Sequence, residues 1–472
     1  MFSLPKEKPF ADRGTIEANS IVRNAGMPSV VFTSVLDASA GGGAGNRLIF
    51  DASREYAQKL DTEDPLFGFR SRFYIPEGMI YLDGNSLGLL SREAETSVLH
   101  ILDSWKRLAV EGWLQAEPCW FTLAEELGKG IASMLGAEPE EVIAVNSTTV
   151  NLHQLLATLY RPEPERFHIL CDELIFPSDL YAIESHLRLK GLDPKTVIIQ
   201  VHSRDGYTLE EADIESAMTE TVALAVLPGV LYKSGQLLDM GRLTASAHAS
   251  NILIGFDCSH SIGAVPHRLS EWNADFAFWC SYKYLNSGPG AVGGLYLNRR
   301  HFHHLPGLAG WFGNDKARQF DLEPQMIPAY GAGALQIGTP HLLSMAPLYG
   351  SLQIFHAAGI EAVRDKSVRL TDYLMTLVER ELAPFDIRIA TPHEPNRRGG
   401  HVALLHSEAS RICMALRQDC VIPDHRPPDI IRLAPAALYV SFEEVWETVQ
   451  RLKRILSEES YRSFPLEREM IT

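Results

Sequence analysis

The chain has 472 residues, 46% hydrophobic and 22% charged, enough for one large and one small domain of an ordinary globular enzyme. Forty-three basic against 59 acidic residues give a net charge of −16, which argues against nucleic acid or an anionic membrane as partner. Six cysteines without Cys-x-x-Cys spacing read as buried reduced thiols, not a disulfide framework or a zinc site; the longest apolar stretch, residues 222–232, is cut by Pro228-Gly229, far short of the roughly 18 residues of a spanning helix.

Residues 1–46 lack a sustained period and end in Ala40-Gly41-Gly42-Gly43-Ala44-Gly45, so they read as a disordered extension that cannot bury enough surface to offset chain entropy. A mitochondrial presequence is the minority alternative, because Glu7, Asp12, Glu17 and Asp37 interrupt it; the expected compartment is the cytoplasm. Residues 47–80 form a helix marked by Ala52, Tyr56 and Leu60, then an arm leading to a strand at 80–82. Gly84-Asn85-Ser86-Leu87-Gly88 makes a turn of small residues that lets a ligand approach the backbone. Trp105, Trp113, Trp120 and Phe121 crowd one stretch and read as core packing.

Residues 142–145 form a strand running into Asn146-Ser147-Thr148-Thr149, after which Leu152, Leu155, Leu156 and Leu159 mark one face of a helix. Strand, cap-forming residues and helix together make either an ordinary N-cap or an anion site, where first-turn amides and the helix dipole meet a phosphate. A strand at 167–171 precedes Phe176-Pro177-Ser178-Asp179, in which Asp179 is either a site residue or the N-cap of a helix from Leu180; another at 222–227 ends in Pro228.

The chemistry concentrates further on. Ile252-Leu253-Ile254-Gly255-Phe256 reads as a buried strand delivering Asp257 at its carboxyl end, with Ser259 and His260 following. Residues 275–280 form a second strand, delivering Ser281-Tyr282-Lys283-Tyr284. Open α/β sheets place their ligand crevice at such ends, so a carboxylate and a lysine between aromatic rings face one crevice. The pair suits pyridoxal phosphate, the lysine forming a Schiff base and the carboxylate keeping the pyridine nitrogen protonated; a salt-bridged lysine and a capping aspartate are the plainer alternative. His301, His303 and His304 read as solvated loop histidines, with no metal site expected.

From Leu342 onward the pattern changes to helices at 342–358 and 360–382, strands at 385–389 and 402–405, a helix at 407–417 and a strand at 430–433. A final helix opens on the capping box Ser441-Phe442-Glu443-Glu444. This is a small α+β unit, in which Arg432 is either a surface arginine or a guanidinium fork for an α-carboxylate. The expected division is a large domain over 81–335, a small one over 336–465 and a tail at 466–472.

Asp257-x-x-His260, Trp279-Cys280-Ser281-Tyr282-Lys283-Tyr284-Leu285-Asn286, Phe176-Pro177-Ser178-Asp179, Gly84-Asn85-Ser86-Leu87-Gly88 and Gly310-Trp311-Phe312-Gly313 together resemble the kynureninase family, over about residues 51–456. The resemblance implies an aminotransferase-like, fold type I α/β architecture, with a mainly parallel seven-stranded sheet in the large domain and a small C-terminal α+β domain. It implies pyridoxal 5′-phosphate as cofactor, L-kynurenine and 3-hydroxy-L-kynurenine as substrates, and a homodimer with cofactor contacts crossing the interface. By position, Lys283, Tyr282 and Asp257 become catalytic. Thr148, Thr149, Phe176, Pro177, Ser178, Asp179, Asp257, His260, Tyr282, Lys283, Trp311 and Thr339 become cofactor contacts, with Phe176 stacking on the pyridine ring. Ser86, Trp113, Thr339 and Arg432 become substrate contacts. Thr148 stands where many members carry leucine, and Pro228 where serine or threonine is usual. Trp113 and Thr339 replace the histidine and asparagine of members that prefer a hydroxylated ring, which points to plain L-kynurenine. Two rivals remain: a cysteine desulfurase of the same fold, although none of the six cysteines lies on an evident mobile loop, and a non-enzymatic, cofactor-free scaffold, which the joint presence of Asp257, Lys283 and Arg432 does not support.

Overall fold

The computed structural model describes residues 51–465; the expectations for residues 1–46 and 466–472 lie outside the described residues. Seven strands form the main sheet, in the order Val142–Ala144, Gly293–Leu297, Phe276–Cys280, Leu253–Asp257, Val222–Pro228, His168–Asp172, Ile198–Val201. The last five pair in parallel, while Gly293–Leu297 runs antiparallel to both of its neighbours. The expected strands thus appear within a residue or so of their predicted ends, and the sheet is the mainly parallel one the family implies.

Burial explains the apolar runs. Phe256, Phe276, Phe278 and Trp279 are fully buried, as strands covered on both faces must be. The register sets Pro228 opposite Asp257, and Asp257 opposite Phe278, so the carboxylate leaves the sheet level with the end of its neighbour. Two strands of this sheet escaped the sequence reading, Ile198–Val201 and Gly293–Leu297. Gly293–Leu297 begins with two glycines, poor strand formers; a Cβ on Gly294 would lie 2.4 Å from the Trp279 ring, and one on Gly293 3.1 Å from the Thr148 amide nitrogen. Packing against the sheet and the helix start therefore selects glycine over β propensity.

A second, antiparallel sheet has the order Asp424–Arg426, Ile430–Leu433, Val402–Leu405, Arg388–Ile389. The strand expected at 385–389 shrinks to its last two residues, and Asp424–Arg426 is an addition. Ile80–Tyr81 pairs in parallel with Val421–Ile422, and Asp83 bridges Ala434, which carries the Gly84-Asn85-Ser86 turn to the end of the Arg432 strand. Helices Leu342–Ala358 and Ile360–Glu381 stand as expected. Phe442–Ser457 opens on the anticipated capping box, Ser441 accepting from the Glu444 amide and Glu444 from that of Ser441. Asp61, on the helix Arg54–Thr62, accepts from the amides of Phe442 and Glu443 at 2.7 and 3.0 Å, a second anion at the same helix start.

Four local expectations are corrected. Helix Pro177–Leu189 starts earlier than expected, with Phe176 at the N-cap and no side-chain cap; Asp179 sits inside the first turn and is not the cap. Trp105 is 59% exposed, although Trp120 is buried. Cys119 is half-buried and Cys420 exposed, while the other four thiols are buried. His301 is buried and bonds Asp275 at 2.6 Å, beside His248 at 3.0 Å and Arg300 at 2.6 Å. Its acidic partner lies too far away along the chain for local spacing to reveal.

Candidate active site

Two strand ends and two helix starts converge at the carboxyl edge of the main sheet. Asp257 ends its strand and accepts from the Ser259 amide at 2.9 Å. Lys283 follows the neighbouring strand, and its Nζ donates to His260 Nε2 at 2.8 Å. The same Nζ lies 5.9 Å from the Phe176 ring centroid and 6.0 Å from that of Tyr282. Burial, then the charge of Lys283, holds the His260 imidazole well below its ordinary pKa, so it is neutral and accepts the lysine's proton donor.

Asp179 is buried beside Asp257; burial, then the Asp257 charge, pushes its carboxyl well above the ordinary range. Two adjacent carboxylates share a site most easily when one keeps its proton. Asp172, at the end of the next strand but one, has no exposed surface, and burial pushes it up to about 7. Tyr282 is pushed upward by burial and stays a neutral phenol.

The helix Thr148–Leu159 begins without a side-chain cap, as does Pro177–Leu189, with Pro177 in its first turn. Thr149 Oγ1 and Ser178 Oγ share a hydrogen bond of 2.7 Å, tying the two starts together. Two uncapped starts with hydroxyls between them present first-turn amides to an anion.

Arg432 has no exposed surface. It donates to the Tyr232 carbonyl at 2.6 Å, to Ser86 Oγ at 3.3 Å and to Asp424, with which it forms an ion pair. Arg426 joins this cluster, 3.3 Å from Asp424 and 3.5 Å from Ser86 Oγ. Burial lowers Arg432 to about 10 and raises Asp83, in the adjoining turn, to about 6. The surface-arginine alternative fails, because this guanidinium is in the core. The Arg432 charge also acts on His260, so the two clusters are neighbours.

Trp113 and Thr339 line one cleft of about 630 Å³ with Trp105, Val110 and Trp120. Trp311 is half-exposed and packs edge-on against Phe312, which in turn meets Trp113 at 6.1 Å. Thr339 also borders a second cleft with Asn146 and Ser147, at the Thr148 helix start.

Sequence reasoning missed Asp424, Arg426, Tyr232 and Asp172. A signal existed for the first two: Asp424 and Arg426 alternate along one strand, and Asp424 faces Arg432 across the hairpin, so period-two spacing puts all three on one face. Tyr232 and Asp172 carried no such pattern.

The donor set fits pyridoxal phosphate. A half-buried lysine amine with a neutral acceptor, an aspartate backed by a second carboxyl held above its ordinary range, an aromatic face and two uncapped helix starts are what its aldehyde, ring nitrogen, ring plane and phosphate require. Known proteins agree. Residues 363–452 match the model of the kynureninase C-terminal domain, and residues 111–268 that of the DegT/DnrJ/EryC1/StrS aminotransferase family. Among solved structures, an apo cysteine desulfurase from Thermococcus onnurineus NA1 superposes with a TM-score of 0.71 at 16% identity, covering 83% of this chain and 98% of that one; a cystine C–S lyase gives 0.70 at 18%, covering 80% and 98%. These establish the fold. The kynureninase of Shouchella clausii is 56% identical over 89% of this chain and 98% of its own length, and that of Geobacillus thermodenitrificans 57% identical over 90% of this chain and the whole of its own; the chain belongs to the kynureninase family.

Proposed function

We propose that the chain cleaves the Cβ–Cγ bond of L-kynurenine with water, giving anthranilate and L-alanine, and 3-hydroxy-L-kynurenine in the same way, using pyridoxal 5′-phosphate. The observation that carries this beyond likeness is the joint placement of Lys283, with its amine on neutral His260, and of Asp257, backed by Asp179, at one sheet edge.

Lys283 would anchor the cofactor through its amine. Asp257 would hold a proton at the ring nitrogen, with the raised carboxyl of Asp179 beside it. Phe176 would supply an aromatic face, and Thr148, Thr149, Ser178 and the two helix starts would hold the phosphate, with Tyr282 as a neutral phenol donor. When bound, the cofactor's ring draws in the electron pair left at the substrate's α-carbon. Arg432 and Ser86 orient the α-carboxylate. Lys283 takes the α-proton and carries it, His260 accepting a hydrogen bond from the amine meanwhile. Water adds to the γ-carbonyl, the Cβ–Cγ bond breaks, and Cβ gains the proton that completes alanine. Pro228 offers no hydroxyl at its position, and Thr148, in the first helical turn, contributes its backbone amide.

The cleft that Trp113 and Thr339 line includes neither Lys283 nor Asp257, which supports a homodimer in which Trp113, Thr339 and Trp311 complete the partner's site. The exposed Trp105, Val110 and Leu114 beside them support the same assembly. No helix among the described residues is long and apolar enough to cross a membrane, and the cytoplasm is the proposed compartment. The rival cysteine-centred chemistry has little support: Cys280, three residues before Lys283, is buried, and burial pushes it up.

The test is turnover of L-kynurenine with and without added pyridoxal phosphate, for the parent chain and Lys283→Ala. Parent turnover with cofactor and none in Lys283→Ala is expected. Undiminished turnover in Lys283→Ala would end the proposal.

A further inference from the structure

We propose that His401 is a positioning residue for Lys283, acting through His260 to hold the proton on the lysine nitrogen. This rests on the reading of Lys283 as the reactive amine. An ammonium group only donates, so His260 Nε2 accepts at 2.8 Å and the imidazole hydrogen must sit on Nδ1. That Nδ1 is buried and has no hydrogen-bond partner among the described residues. The ring packed edge-on against His260 is His401, with centroids 5.8 Å apart and planes at 61°.

His401 comes from the other sheet, one residue before the strand Val402–Leu405. It has no exposed surface, and neither ring nitrogen has a hydrogen-bond partner among the described residues. Burying an imidazole with two idle nitrogens is costly where an apolar ring would fill the space. A tight approach fixes the ring: Gly235, at φ +76°, leaves no room for a Cβ, which would lie 2.7 Å from the His401 carbonyl oxygen and 3.2 Å from its Nε2.

Lys283, Arg432 and Arg426, all cationic, act on this pair, the carboxyl of Asp179 beside Asp257 faces Lys283 as well, and the Tyr284 hydroxyl lies 3.0 Å from where a Cβ of Gly400 would stand. Burial, then the Arg432 charge, keeps His401 neutral. Two neutral imidazoles then relay donors in one direction: Lys283 to His260, and His260 Nδ1–H to a His401 nitrogen across one water. Each donor in such a chain makes the next acceptor more basic, so His401 strengthens the acceptor that Lys283 uses.

The experiment compares the parent with His401→Phe, which keeps a ring without nitrogen, and His401→Gln, which restores an amide donor and acceptor. Two midpoints are read: the pH titration of the visible absorbance in the cofactor-loaded protein, and, in the full chain stripped of cofactor, the pH dependence of Lys283 reductive methylation followed by mass spectrometry. In His401→Phe both midpoints move to lower pH by about half a unit to one unit, a roughly 3- to 10-fold loss of proton affinity. In His401→Gln they return toward the parent, and kcat falls in the Phe variant with KM little changed. Equal midpoints in all three proteins, or equal shifts in Phe and Gln, would overturn the proposal and leave His401 a packing residue. A protein with no visible band in any variant would count against the cofactor, while the methylation midpoints still decide on His401. Should His401→Phe fail to fold, His401→Met carries the same comparison.

Discussion

Removing the Arg432 guanidinium separates two roles that the structure superimposes. Arg432 and Asp424 both lack exposed surface, and Asp83 lies close by. Arg432→Met strips Asp424 of its main partner and leaves only Arg426, at 3.3 Å, and Ser86, at 3.2 Å, to answer the charge. Breaking a buried pair from one side costs about 3–5 kcal/mol; with Arg426 remaining, the lower end, about 3 kcal/mol, is expected in urea unfolding. The same substitution removes the fork for the α-carboxylate and raises KM for L-kynurenine by about 10²-fold or more. The double variant Arg432→Met, Asp424→Asn takes out both charges, so most of the lost stability returns while KM stays high. A double variant that regains parent KM would refute the assignment of Arg432 to the carboxylate. A stable Arg432→Met would refute the account of the buried pair.

Exchanging Trp113→His and Thr339→Asn together should raise the kcat/KM ratio of 3-hydroxy-L-kynurenine over L-kynurenine by about 10-fold, the order of one pocket contact, measured by steady-state kinetics on both substrates; an unchanged ratio would remove these residues from specificity. For Asp275, burial alone would raise the pKa, but the bonds to His248 and His301 outweigh it and hold the carboxyl at about 2, against an ordinary 3.8. A depressed folded-state value contributes stability above about pH 4 that is lost as pH falls toward 2, amounting to about 2 kcal/mol. Asp275→Asn should therefore lose about that much in urea melts at pH 7 and much less near pH 2, and an equal loss at both would contradict the linkage. Charge placed on the exposed apolar face, as in Val110→Glu with Leu114→Glu, should yield monomers by sedimentation together with loss of turnover. An active monomer would show that Trp113, Thr339 and Trp311 do not serve a partner's site.

Elements whose residues meet the same environment along their whole length were legible in the chain itself. The buried strands ending at Asp257 and Cys280 and the helix capped by Ser441 and Glu444 follow from unbroken apolar runs, a 3.6-residue period and local cap chemistry, which are properties of neighbouring residues. The motif run from Gly84 to Gly313 likewise carried the family, because five short motifs in family order are strings of neighbouring residues, whereas Asp257 and Lys283 by themselves left a salt bridge and a helix cap open. Only tertiary structure decided the rest. The Gly293–Leu297 strand exists because Trp279 and the Thr148 helix start leave no room for larger side chains, Arg432 entered the core because Asp424 faces it across a hairpin, and His301 found Asp275 across a strand and a loop. His401 came beside His260 from more than a hundred residues away. Each of these depends on which distant group shares a space of a few ångströms, and hydrogen bonds, ion pairs and steric exclusion act over that range and not along the chain.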